Sequence, residues 1–186
     1  MFSIPLTHIQ RTEHIGTDAD DPAIWIPHSA GGHFFVLGTN KASAAEGGSI
    51  VLLDDTGSLR LTIDKIDRPN NIHVLHGVRT NRGRADIAIS TERLTSRLRI
   101  WELTYNGSIP AVKELIPNDN GTLFRGESGD AAAPMGVTGT VARDGQADIY
   151  VSRKSGPRQG YVHHLRLNLK TTRLTLTFVR AIVEFS

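Results

Sequence analysis

The sequence predicts an all-β fold made of four-stranded antiparallel units. Short runs rich in β-branched and aromatic residues recur along the chain, and Gly, Asn, Asp and Pro separate them. No segment shows a sustained 3.6-residue period, which argues against long amphipathic helices. The 186 residues, of which 39% are hydrophobic, suffice for one domain with a sizeable core.

Twelve strands are predicted, in three groups of four. The first group covers residues 23–27, 34–39, 49–53 and 59–63. The second covers 72–78, 86–90, 98–103 and 112–115, with a short helix over 112–116 as the alternative for its last member. A loop rich in Gly, Asn and Asp follows from 117 to about 134. The third group covers 137–142, 148–152, 161–167 and 174–181.

The three groups resemble one another, which indicates an internal repeat. The second strand ends in Val-Leu-Gly-Thr-Asn-Lys in the first group, Ile-Ala-Ile-Ser-Thr-Glu-Arg in the second and Ile-Tyr-Val-Ser-Arg-Lys in the third. Four-stranded units repeating at this length are typical of β-propeller blades. We therefore predict about three blades, at roughly 17–66, 67–117 and 134–186, within one domain over 1–186. A generic antiparallel sandwich is the alternative.

One cation ends the second strand of each unit: Lys41, Arg93 and Lys154. Equivalent positions in successive blades face the same end of a propeller, so we expect these side chains to converge. Three cations at one end form an anion-binding surface, and arginine suits bidentate recognition of phosphate. The alternative is that each is a solvated charge at the end of a strand.

An acidic stretch, Asp18-Ala-Asp-Asp-Pro22, precedes the first predicted strand. We expect Asp20 and Asp21 to lie in a turn just before that strand. Hard cations such as calcium take carboxylate and carbonyl oxygens on irregular chain of this kind. A calcium site is therefore one interpretation, and an acidic surface loop is the other.

The composition excludes several other classes of site. The formal net charge is only +2 and no dense Lys/Arg run occurs, which argues against nucleic-acid binding. The chain has no cysteine, which excludes disulfides and thiolate metal sites. No apolar run is long enough to span a membrane, and the first residues lack the pattern of an export signal. These features assign no cellular compartment.

Several motifs together resemble the β-propeller phytases, calcium-dependent enzymes that remove phosphate from myo-inositol hexakisphosphate (phytate). They are Asp-Asp-Pro-Ala-Ile-Trp at 20–25, Gly-Thr-Asn-Lys at 38–41, Asn-Asn-Ile at 70–72, Asp-Ile-Ala at 86–88 leading to Arg93, and the segment 161–167. The resemblance runs from about Thr17 onward and covers the N-terminal half of the family.

This resemblance implies a six-bladed propeller with calcium in and around a central mouth. Asp20 would then hold an active-site calcium and serve catalysis. Asp21, with the carbonyls of Pro22 and Ile72, would hold a structural calcium. The three strand-end cations would bind substrate phosphate. The implied reaction is direct attack on phosphate by a calcium-activated water, without a covalent intermediate.

Four positions depart from the family pattern. Residues common in the family at phosphate or metal contacts are replaced by Ala42, His73, Met135 and Ser155. Further acidic calcium ligands follow the third blade in the family, outside the part that this chain matches. The alternative function is therefore a non-catalytic partial propeller, a fragment or an interaction module, that binds calcium or phosphate.

Three blades do not close a six-bladed ring. We expect two open flanks with exposed apolar surface, which promote association. Two copies related by a two-fold axis would complete the ring, so a homo-oligomer is one predicted arrangement. The other expected partner is phytate or a related phosphorylated small molecule.

Overall fold

The structure is a computed structural model that describes residues 11–28, 31–157, 159–169 and 174–183. Within these ranges the chain forms three four-stranded antiparallel sheets and two helical turns, which confirms the predicted all-β class. The turns are a 3-10 segment at Ala44–Glu46 and helix α1 at Gly129–Ala132. Neither of them is long and apolar enough to cross a membrane.

Each sheet uses four consecutive strands, so strands that follow one another in sequence also pair. The first sheet contains β1 (Ala19–Trp25), β2 (Phe35–Asn40), β3 (Ser49–Asp54) and β4 (Leu59–Ile63). The second contains β5 (Pro69–Thr80), β6 (Gly83–Glu92), β7 (Arg97–Tyr105) and β8 (Pro110–Glu114). The third contains β9 (Pro134–Val141), β10 (Ala147–Arg153), β11 (Gln159–Asn168) and β12 (Thr175–Val183).

Every predicted strand overlaps one observed strand, and the segment that could have been a helix is strand β8. The prediction of an acidic turn before the first strand is wrong. Strand β1 already begins at Ala19, so Asp20 and Asp21 lie inside it. They stay in the sheet because Ala19 pairs with Asn40 and the Asp21 N–H donates to the Thr39 hydroxyl at 3.0 Å.

The second sheet lies between the other two and is apolar on both faces. Alternation along β6 and β7 sends side chains to opposite faces. Ala88, Trp101 and Leu103 pack on the first sheet, whereas Ile87 and Ile89 pack on the third. Burying one such aliphatic side chain contributes about 1.5–3 kcal/mol. The first strands also meet, with β1 against β5 and β5 against β9.

The outward face of the first sheet is covered by the chain itself. Val51 and Leu53 point away from the second sheet, yet each is only 2% exposed. Residues 11–16 cross this face. The Glu13 N–H donates to the Gly57 carbonyl at 2.9 Å, and a methyl group at Gly38 would lie 3.1 Å from the Ile15 side chain. This N-terminal strip therefore shields the apolar face.

The outward face of the third sheet is polar instead. Asp148 accepts a hydrogen bond from Arg166 Nε at 2.9 Å and lies 3.0 Å from His164 Nε2. Tyr150 stacks on His164 with ring centroids 4.7 Å apart. The flank at the first sheet is therefore covered by the chain. The flank at the third sheet carries a charged network, and Phe178 and Val179 of its outer strand β12 are exposed.

All three sheets contain the same β-bulge between their first two strands. Across the bulge the first strand advances by three residues while the second advances by two. The register shifts at the same point in each sheet. A hydroxyl of the second strand accepts the N–H of the bulge in every case. The pairs are Thr39 with Asp21 at 3.0 Å, Thr91 with Asn71 at 3.2 Å and Ser152 with Gly136 at 3.0 Å.

Two of these hydroxyls also tie their sheet to the next one. Thr39 donates to the Asn70 carbonyl of the second sheet at 3.0 Å. Thr91 donates to the Met135 carbonyl of the third sheet at 2.7 Å. Both threonines are fully buried, so water cannot reach their hydroxyls and these bonds satisfy them instead. The hydroxyls therefore fix both the bulge and the position of the following sheet.

Thr91→Val is expected to lower the free energy of unfolding by about 2–4 kcal/mol, because it leaves the half-buried Asn71 N–H and Met135 carbonyl without partners. Urea denaturation measures this loss. Ser152→Ala is the matched control, because Ser152 is only half-buried and bonds its own bulge alone in the described residues. It should cost about 1 kcal/mol. Equal losses in the two variants would contradict the inter-sheet role of Thr91.

Candidate functional site

The three strand-end cations occupy equivalent places in the three sheets. Lys41, Arg93 and Lys154 directly follow β2, β6 and β10. The backbone N–H of each donates to the carbonyl of the residue just before the first strand of the same sheet. These bonds are Lys41 to Asp18 at 2.8 Å, Arg93 to Arg68 at 3.1 Å and Lys154 to Ala133 at 2.8 Å. We call the three residues the cation edge.

Further contacts join the members of the cation edge from sheet to sheet. The Arg68 N–H donates to the carbonyl of Ala42, the residue after Lys41, at 3.0 Å. The Arg68 carbonyl in turn accepts the backbone N–H of Arg93. Arg93 and Asp130 line one pocket, and Asp130 forms an ion pair with Lys154. The cations thus follow one border of the stack.

Two of the three cations already have a carboxylate partner. Lys41 Nζ lies 2.7 Å from Asp20, and Lys154 Nζ lies 2.9 Å from Asp130. Among the described residues, Arg93 forms no ion pair. Both lysine pairs are partly exposed, so solvent screens them and each contributes about 0–1 kcal/mol. A multiply charged anion could compete with these carboxylates.

The predicted metal ligands are brought together only in part. Asp21 Oδ2 accepts the Ile72 N–H at 2.9 Å, so Asp21 and Ile72 are neighbours and Pro22 follows in the strand. Asp20 instead points to Lys41. In the part of the chain that the structure describes, no three His, Asp or Glu side chains converge as a metal site.

Asn70 adds an oxygen that the sequence did not single out. Its side chain is 3% exposed, and its Oδ1 has no hydrogen-bond partner in the described residues. With Asp21 and the carbonyls of Pro22 and Ile72, this region offers four oxygen donors. Calcium takes six to eight oxygens. The donor chemistry fits a hard cation, and the set would need water or further ligands to complete it.

Sequence reasoning missed Arg68 and Asp130. Asp130 sits in the loop from 117 to 134, where no periodic pattern assigns a role to any residue. Arg68 precedes the first strand of its sheet in a left-handed conformation, with φ of 61°. The repeat gave no signal for Asp130, because Asp20 lies inside β1 whereas Asp130 precedes β9.

A second cleft, of about 560 Å³, lies between the first and second sheets and away from the cation edge. Trp25 Nε1 and the Gly77 N–H each donate to Asp86 at 2.9 Å. His76 Nδ1 lies 3.7 Å from the same carboxylate. Burial opposes ionisation of Asp86, but its hydrogen bonds outweigh burial and lower its pKa. The interaction with Asp86 raises the pKa of His76.

Comparison with known proteins assigns no family. No model of a protein family matches the chain, and a search of the curated proteins finds no match. The resemblance to β-propeller phytases therefore remains a prediction from the sequence motifs.

Removing the Asp86 charge is expected to lower the pKa of His76. The pair favours protonated His76 in the folded protein, so its stabilisation is complete below the ordinary histidine pKa of about 6.5. It is lost as the pH rises through the higher folded value. An NMR titration of the His76 ring should show a lower midpoint in Asp86→Asn. Asp55→Asn, which removes a carboxylate beside His33, should leave that midpoint unchanged. An unchanged midpoint in Asp86→Asn would contradict the pairing.

Proposed function

We propose that this chain is part of a phytase-like β-propeller phosphohydrolase and that the cation edge binds the phosphate groups of its substrate. One observation carries the proposal. Each of the three sheets presents one cation at the same point of its fold, and contacts through Arg68 and Asp130 join these points. Phytate carries six phosphates, so it can engage several such cations at once. Arginine adds planar bidentate recognition.

The sheet architecture supports the propeller part of the proposal. Three consecutive four-stranded antiparallel sheets stack face to face, with the first strand of each against the first strand of the next. The same bulge and the same hydroxyl recur in all three. A propeller is built from such radially repeated sheets. A generic sandwich of two sheets does not require this equivalence.

Within this proposal the residues have separate roles. Arg93 and the two lysines hold and orient phosphate and offset its charge. Asp20 restrains Lys41 until a phosphate competes for it. Asp21, Asn70 and the carbonyls of Pro22 and Ile72 would hold calcium. The active-site calcium, which the resemblance assigns to Asp20, would when bound offset phosphate charge and lower the pKa of an attacking water.

A second candidate function is phosphate binding without hydrolysis. Asp20, which the resemblance assigns to the active-site metal, is paired with Lys41 at 2.7 Å. The described residues also lack a cluster of three ionisable metal ligands. Anion binding needs only the cations, whereas activation of water needs the metal ligands as well. This candidate predicts phytate affinity without phosphate release.

The deciding experiment measures phosphate release from phytate by the purified chain, with calcium and then with excess chelator. The phosphohydrolase proposal predicts release that the chelator abolishes. Calorimetric binding of phytate without any release would favour the second candidate. Absence of both binding and release would contradict both candidates.

Charge-matched variants test the cation edge itself. The triple variant Lys41→Gln, Arg93→Gln and Lys154→Gln is expected to weaken phytate binding by at least about 100-fold, since each lost charge-assisted bond contributes about 1.5–3 kcal/mol. The control variant Arg60→Gln, Arg82→Gln and Lys113→Gln removes the same charge outside the edge and should bind nearly as the parent does. Equal weakening in both would show non-specific charge attraction.

A further inference from the structure

The cation edge contains a pocket of about 420 Å³ between the second and third sheets. Arg68, Arg93 and Asp130 line it, and Lys154 reaches its border through Asp130. Three cations and one carboxylate therefore lie at this pocket, and Asp130 pairs with Lys154. The cations carry +3, Asp130 carries −1, and Glu46 near Arg68 carries a further −1, so positive charge is in excess. That excess favours an anion such as a phosphate monoester.

Arg68 is held by its backbone, and part of its side chain lacks a partner. Its backbone N–H donates to the Ala42 carbonyl, and its carbonyl accepts the Arg93 N–H. Its Nε is enclosed and has no hydrogen-bond partner in the described residues. An enclosed guanidinium N–H without an acceptor is costly, and a bound anion would satisfy it. Arg68 also lies near Glu46, whose pKa is lowered mainly by Ser43 and only slightly by Arg68.

Asp130 lies on a short and exposed segment. Its carboxylate contacts Lys154 Nζ at 2.9 and 3.0 Å, and its side chain is 57% exposed. Gly126 and Gly129 precede it with positive φ values of 86° and 56°, which residues other than glycine rarely adopt. An exposed lysine–carboxylate pair contributes at most about 1 kcal/mol. A phosphate dianion can therefore displace this carboxylate at little cost.

We propose that Asp130 occupies the position of a substrate phosphate in the free protein, and that Arg68 is a fourth phosphate-binding residue. This inference rests on the proposed function, because it assigns further roles within the same site. Binding exchanges the Asp130 carboxylate for a phosphate that is shared by Arg68, Arg93 and Lys154.

Calorimetry with phytate and, separately, with inorganic phosphate tests both roles. Arg68→Gln should weaken phytate binding about tenfold, the value of one charge-assisted hydrogen bond. Arg60→Gln is its matched control. Asp130→Asn should tighten binding of both anions about two- to fivefold, the value of the exposed ion pair that it removes. Asp119→Asn is the control, since Asp119 is another loop carboxylate that pairs with an arginine, Arg125.

The outcomes separate this inference from the proposed function. If the triple variant of the cation edge loses phytate binding while Arg68→Gln and Asp130→Asn match their controls, only the inference is overturned. If the parent chain binds inorganic phosphate in an Arg68-dependent way but not phytate, the inference holds and the proposed substrate is wrong. Weaker binding in Asp130→Asn would overturn the displacement, and because this residue is exposed, the variant avoids a folding defect.

Discussion

The buried hydroxyl bonds between sheets are the constraint on which the rest of the structure depends. Thr39 and Thr91 each accept an N–H from the bulge of their own sheet and donate to a carbonyl of the next. Apolar packing is not directional and would tolerate sliding of one sheet over another. A hydrogen bond has a narrow range of distance and angle. The hydroxyls therefore set the register between sheets, whereas the apolar side chains supply most of the free energy.

The cation edge depends on the same bonds. Each cation lies two residues after a bulge hydroxyl: Lys41 after Thr39, Arg93 after Thr91 and Lys154 after Ser152. For Lys41 and Arg93, the contact that fixes the position of the next sheet therefore also fixes the start of the cationic side chain, whereas Ser152 fixes only the bulge beside Lys154. A rigid frame reduces the entropy lost when several phosphates bind together. Any drift between the second and third sheets would separate Arg93 from Lys154 and change the pocket between them.

Much of this arrangement could be predicted because it is local or repeated. Alternating apolar runs gave all twelve strands, and the repeated strand ends gave Lys41, Arg93 and Lys154. The early start of β1 could not be predicted, since the Thr39 bond that keeps Asp21 in the sheet joins residues far apart in sequence. The role of Asp130 was not predicted for the same reason, because only the folded chain brings its loop to Lys154. The calcium ligands remain a prediction. The hydrogen bond between Asp21 and Ile72 supports it, because it places two of the predicted ligands side by side.

The N-terminal strip at residues 11–16 has a consequence for any shortened form of this protein. It contributes no strand to the first sheet, so it would be an obvious target for trimming. Yet it crosses the outward side of the sheet at Val51 and Leu53, held by Ile15 and the Glu13–Gly57 bond. A chain cut after Gly16 would keep every sheet and the whole cation edge. It would also expose an apolar surface that promotes association. Aggregation of such a product would therefore result from the loss of this cover rather than from a failure to fold.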